Sequence, residues 1–170
     1  MSELSVAKNE ISEYNDRSSL KFQIDSEILG SIYLITSDSD SLFVDDLLDS
    51  PKLVLRFSNQ FCPPCIDDAL KFLNDIGQSI GYDNIIVISD FKSSNLLKLF
   101  AESHQIKSPI YRFPGSFSFS IDKKEGSDKV PFYMILDSDL RVVLPYYANE
   151  SDELISGYRN KVLSYFTSIL

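Results

Sequence analysis

Two stretches of the chain are apolar at nearly every position and no longer than a strand: residues 52–57, carrying Leu53, Val54, Leu55 and Phe57, and residues 84–89, carrying Ile85, Ile86, Val87 and Ile88. Continuous apolar runs of this length mark central strands covered on both faces. Between them, Ile66, Ala69, Leu70, Leu73 and Ile76 recur at spacings of three and four, which predicts an amphipathic helix starting at Pro63 and closed by Gly77 or Gly81. Prolines at its first positions fit, because those amides have no helical partner to lose. A second helix is predicted over 94–104, with Leu96, Leu97, Phe100 and Ala101 apolar. Strand, helix, strand, helix implies parallel pairing with right-handed crossovers.

Upstream, residues 1–19 show no sustained apolar period and are expected to form a flexible or irregular arm. Leu20, Phe22 and Ile24 alternate as one strand, and Ile32 and Leu34 against Tyr33 and Ile35 as another. The Ser/Asp cluster at 37–41 reads as a loop, and 42–48 as a short helical turn. Downstream come a short apolar segment at 110–113, a polar loop, a strand at 132–136, a turn at Asp137, Ser138 and Asp139, and a hairpin partner at 141–144. A closing helix is expected from about Ser151, its cap, with Asp152 and Glu153 in the first turn and Leu154, Ile155, Tyr158, Val162, Leu163 and Phe166 as its stripe. The reading is an α/β fold: one domain over 20–170, with a mixed central sheet flanked by helices on both sides.

Charge and length narrow the function. The 170 residues hold 25 Asp and Glu against 16 Lys and Arg, a net charge of −9, so counterion-driven binding to nucleic acid or an anionic membrane is not expected. No stretch approaches the ~20 apolar residues that span a bilayer, and the first 19 are polar rather than leader-like. Two settings fit: a cytoplasmic protein, or the mature part of an exported one with Met1 added.

The 2 cysteines, Cys62 and Cys65, stand three positions apart, which excludes a disulfide framework. A bridge between such close neighbours restrains little of the unfolded chain, so its use is chemical. Cys62 falls at the N-cap of the predicted helix, where unpaired amides and the positive end of the helix dipole favour the thiolate; it is the expected nucleophile. Cys65, one turn in, is placed to attack the mixed disulfide that Cys62 forms and is the expected resolving thiol. Pro63 and Pro64 remove two amide hydrogens near Cys62 and stiffen the turn, which tunes the reduction potential.

A buried strand, a short loop ending in Phe61, C-x-x-C at a helix start, and much later Val130 and Pro131 just before a strand together resemble the thioredoxin superfamily; the Cys-Pro-Pro-Cys form is similar to its TlpA-like branch. The resemblance runs from about residue 42 to the C-terminus, and residues 1–36 loosely match the extra N-terminal strands of that branch. It implies that Pro131 is cis and packs beside the cysteine pair, with the backbone of Val130 pairing with substrate; an X-Pro bond allows this at modest cost. It also implies that Asp68, where TlpA-like proteins commonly carry glutamate, handles protons near the pair. Phe61 and Pro63, flanking Cys62, complete the expected substrate-contacting set. Thioredoxins proper have a buried Asp six residues before the first cysteine and a Trp immediately before it. This chain has Arg56 and Phe61 there, which separates it from ordinary cytoplasmic thioredoxin; a cation at Arg56 that approached the sulfurs would favour the thiolate.

The expected function is disulfide reduction or exchange on protein substrates. No cofactor is expected, since electrons arrive by dithiol exchange with an upstream donor protein. The branch resembled is usually exported or membrane-tethered in bacteria, which points to the periplasm, with the cytoplasm as the alternative. Other readings remain open. The pair could be inert in a thioredoxin-like interaction module. It could be half of a metal knuckle, but tetrahedral zinc needs four ligands and His104 is the only other favoured nitrogen ligand. His104 itself suits the end of a helix, where it complements the dipole. Asp67 and Asp68 suit a helix start for the same reason, without any catalytic task. No peroxidatic Pro-x-x-x-Thr-x-x-Cys pattern occurs.

Overall fold

The computed structural model describes residues 28–114, 130–148 and 152–169. The expected arm at 1–19, the strand at Leu20, Phe22 and Ile24, the loop after Pro114 and the Ser151 cap lie outside these residues.

In chain order the elements are β1 (Tyr33–Ile35), β2 (Ser41–Phe43), β3 (Lys52–Arg56), α1 (Pro63–Ile80), β4 (Ile85–Ser89), α2 (Ser94–Ser103), β5 (Ile110–Arg112), β6 (Phe132–Leu136), β7 (Val142–Tyr147) and α3 (Asp152–Ile169). Among the described residues the strands form one mixed sheet in the order β2-β1-β5-β4-β3-β6-β7. β3, β4 and β5 pair in parallel, as the strand-helix-strand pattern predicted, and β6, β7, β1 and β2 are added antiparallel. Every residue of β3, β4 and β6 is buried, which fits their apolar sequences.

Alternation along these strands sorts the core into two layers. Leu53, Leu55, Ile85, Val87, Tyr133 and Ile135 face α1 and α3, meeting Ile66, Ala69, Leu70, Leu73, Ile76, Tyr158, Val162 and Phe166. Val54, Ile86, Ile88, Phe132, Met134 and Leu136 face the other way, onto Leu29, Ile32, Leu34, Val44 and Leu48. The steps β3-α1-β4 and β4-α2-β5 run in one direction across the sheet, so right-handed crossovers place both helices on the same face. Phe100 of α2 accordingly packs with the α1 layer. The three helices described share one face; among the described residues, Leu29 and Ile32 and the 3-10 turn at Val44–Leu47 pack on the opposite one.

Three local differences from the sequence reading have physical causes. Ser41–Phe43, expected as loop and helical turn, is a strand because β1 supplies its ladder, with Tyr33 opposite Phe43. β7 runs on past 144 to Tyr147, through Pro145, and the register shifts between Tyr133 and Ile135 of its partner. Leu144 takes up the bulge with φ of 51°. An edge strand tolerates both features, since its outer amides pair with nothing in the sheet. Leu154 is exposed rather than part of the buried stripe of α3.

Gly81 closes α1. Its amide bonds to the Gly77 carbonyl at 2.9 Å, and its φ of 86° is open to glycine at no steric cost. Gly77 lies inside the helix, where the Tyr82 ring lies against the place a Cβ would fill.

Candidate active site

The loop carrying the cysteines leaves the carboxyl end of β3. Residues 58–61 bridge from the sheet to the helix, Cys62 is the N-cap of α1, and Pro63 and Pro64 occupy its first two positions. Cys62 and Cys65 are joined by a disulfide, with Cα atoms 5.3 Å apart. The amides of Cys65 and Ile66 donate to the Cys62 carbonyl at 3.0 and 3.2 Å, which starts the helix at the cysteine itself. Cys62 and Pro63 are exposed and Cys65 is half-buried. The outer sulfur is therefore open to a partner and the inner one sheltered.

The other expected site residues fall into place unevenly. Asp68 is exposed one turn after Cys65, and the two line a common groove of about 650 Å³ together with Lys71, Phe72, Ala148 and Arg159. Phe61, expected to face substrate, is only 7% exposed and packs into the α1 layer of the core; an apolar ring at the helix entrance is more stable there than in water. Pro131 is buried and its carbonyl accepts from the Ala148 amide at 2.8 Å, which ties it to the wall of the groove. Because Arg56 stands opposite Phe132, Pro131 and the cysteine loop lie at the same end of these two strands. No peptide bond among the described residues is cis, so Val130–Pro131 is trans, against the expectation carried by the resemblance; trans is the lower-energy form of an X-Pro bond. The Val130 side chain is buried in the opposite core layer.

Arg56 is buried, with its guanidinium 5.0 Å from the centre of the Phe113 ring and donating to the Phe57 carbonyl. Strand alternation sets it on the side of Val54, the layer away from α1. His104 is the C-cap of α2: its Nδ1 lies 3.0 Å from the Phe100 carbonyl, and Nε2 lies 3.3 Å from Asp67 of α1. That is the helix-end role the sequence suggested, with a cross-link to the cysteine helix added. Among the described residues no cluster of three or more His, Cys, Asp and Glu is arranged to hold a metal ion.

Sequence reasoning did not single out Ser58, Asp90 or Tyr133. The Asp90 carboxylate, just past β4, accepts from the Ser58 hydroxyl at 2.5 Å and from the Asn59 amide at 2.7 Å. Tyr133, beneath α1, donates to the Ala69 carbonyl at 2.8 Å. Burial raises the Tyr133 phenol well above the usual tyrosine value, and the neighbouring Tyr158, Tyr146 and Asp68 add to it. An Asp after a buried strand and a Ser after another are weak signals singly; only the parallel register of β3 and β4 reveals them as a pair.

No protein-family model matches the chain. No curated protein matches it. Solved structures do. The thioredoxin domain of a thiol-disulfide oxidoreductase from Bacteroides vulgatus aligns over 81% of this chain and 97% of its own, at 12% identity and a TM-score of 0.58. The fold is thioredoxin-like. A chain named as thiol:disulfide interchange protein DsbE from Chlorobium tepidum aligns over 84% of this chain and 97% of its own, at 10% identity and a TM-score of 0.64. The copper-bound ScoI of Arabidopsis thaliana also shares the thioredoxin-like architecture, over 82% of this chain and all of its own, at 16% identity and a TM-score of 0.57. A fold that carries both chemistries leaves the choice between them to the site.

Proposed function

We propose that this protein is a thiol-disulfide oxidoreductase acting on protein disulfides through Cys62 and Cys65. The observation that carries the reading is the asymmetry of the pair: an exposed sulfur at the N-cap of α1 and a sheltered one a turn behind. In the reduced protein the Cys62 thiolate attacks one sulfur of a substrate disulfide. The substrate S–S bond breaks, a mixed disulfide forms, and one substrate thiolate leaves and takes up a proton. Cys65, deprotonated in turn, attacks the Cys62 sulfur; the second substrate thiol is released and the Cys62–Cys65 disulfide remains. Two electrons have passed to the substrate, and an upstream dithiol protein returns them by the same exchange.

Asp68, in the groove with Cys65, accepts the Cys65 proton in this scheme. Pro63, exposed beside Cys62, contacts the substrate, while the backbone at Val130 and Pro131 supports docking and Phe61 steadies the loop from below. Bacterial DsbE-like neighbours support a setting outside the cytoplasm; among the described residues no helix is long and apolar enough to cross a membrane.

The test is covalent trapping. Reduced Cys65→Ser protein, mixed with a disulfide-containing protein, accumulates a conjugate that dithiothreitol dissolves, whereas Cys62→Ser gives none. A Cys62 that forms no conjugate and resists alkylation at neutral pH would falsify the reading and leave a thioredoxin-like interaction module.

A further inference from the structure

We infer that Asp90 is a positioning residue for the Cys62 thiolate, acting through the loop at 58–61; the inference rests on Cys62 being the nucleophile proposed above. The buried Phe61 ring holds the far end of the loop, and polar contacts hold the exposed residues before it. Asn59 donates to Asp90 at 2.7 Å and Gln60 to the Ser58 hydroxyl oxygen at 3.2 Å, while Phe61 closes a turn on the Ser58 carbonyl at 3.0 Å. The Ser58 hydroxyl is in turn fixed by donating to Asp90 at 2.5 Å. One carboxylate at the end of β4 therefore holds the Asn59 amide directly and the Gln60 amide through the Ser58 hydroxyl. The parallel pairing of β3 with β4 brings it there, with the Phe57 amide bonded to the Ile88 carbonyl at 3.1 Å.

Position matters more at this site than at an ordinary helix start. Pro63 and Pro64 bring no amide hydrogen, and those of Cys65 and Ile66 already donate to the Cys62 carbonyl. In the disulfide form the Cys62 sulfur makes no capping bond. Its ionised form depends on the field of the α1 terminus, which falls away within the first turn. A loop that drifts carries Cys62 out of that field.

The sign of the effect separates this account from simple charge. Asp90 is an anion, so deleting it as a mere neighbouring charge would make the thiolate easier to form. Deleting it as a strut makes the thiolate harder to form. Asp68, Lys71 and Arg159 along the groove, Asp67 with His104, and Arg56 beneath are unaltered in either case.

The experiment is the pH dependence of alkylation of Cys62 by iodoacetamide in the full reduced chain, with Cys65→Ser as common background. Asp90→Ala is expected to raise the midpoint and lower the rate at pH 7 about tenfold, as one unit of displacement requires. Asp90→Asn keeps an acceptor for Asn59 and is expected to stay within about threefold, its midpoint unmoved or lower. Ser58→Ala, which leaves Asp90 and its bond to Asn59, is expected to move in the same direction as Asp90→Ala by less, and it carries the test if Asp90→Ala does not fold. A reactive parent protein with an unshifted or lowered midpoint in folded Asp90→Ala, or an unshifted one in Ser58→Ala, overturns the inference alone. An unreactive parent overturns the proposed function with it.

Discussion

The Tyr133 phenol donates to the Ala69 carbonyl at 2.8 Å, joining the central strand that follows Pro131 to the helix that carries both cysteines. The bond is wholly buried, so its loss is not made good by water. Tyr133→Phe is expected to destabilise the protein by about 1 kcal/mol, read as a lower urea midpoint at unchanged slope.

Tyr158 offers the opposite case. Its ring stacks on Tyr146 with centroids 4.4 Å apart, but its buried hydroxyl has no hydrogen-bond partner among the described residues. Tyr158→Phe removes that uncompensated group, and stability is expected to hold or rise by about 1 kcal/mol. The same burial raises the phenol of Tyr158, as it does that of Tyr133. Above the ordinary tyrosine value near ~10, the unfolded chain releases protons that the folded one retains, so alkali favours unfolding. Stability from these two groups is complete below that pH and falls as the pH climbs above it. Urea titrations from pH 8 to ~11 are expected to show the decline, shallower in Tyr158→Phe.

Gly77 and Gly81, four residues apart, respond to alanine for different reasons. At Gly81 the φ of 86° is the obstacle, and Gly81→Ala is expected to cost about 1–3 kcal/mol. At Gly77 the backbone is helical and favours alanine by about 1 kcal/mol, but the new methyl would meet the Tyr82 ring. Gly77→Ala is therefore expected to lose stability only while Tyr82 is present. A double-mutant cycle with Tyr82→Ala measures the difference.

Asp68→Asn tests proton handling at the inner sulfur. The first attack, by Cys62, is expected to keep its rate, while release of the second substrate thiol slows by ~10-fold or more, as for loss of a general base. Rapid acid quench would then show a longer-lived mixed disulfide. Equal slowing of both steps would assign Asp68 to the helix start alone.

The strands and helices that build the core were legible because burial imposes periodicity. Leu53, Val54 and Leu55, Ile85 to Ile88, and the stripe from Ile66 to Ile76 are all buried in the core. The cysteine pair was legible because helix-start chemistry is local. What depends on partners distant in sequence was not. Ser41–Phe43 is a strand only because β1 lies beside it, and Pro145 sits in β7 only because that strand is an edge. Phe61 was read from its place beside Cys62, whereas its ring answers to the core beneath. Arg56 was considered for its distance in sequence from Cys62; strand alternation turns it to the face opposite α1. Asp90 escaped notice because its importance lies in a carboxylate meeting a loop thirty-odd residues earlier, across two parallel strands.

The covalent link between Cys62 and Cys65 spans one turn at the rim of the sheet, and no element of the core hangs on it. Oxidised and reduced forms can therefore share one scaffold, and their folding and redox equilibria close a thermodynamic cycle. Whatever difference in unfolding free energy separates the two forms equals the preference that folding imposes on the cysteines. A pair of calorimetric scans, with and without a reductant, would weigh the direction in which this protein moves electrons before any natural partner is in hand.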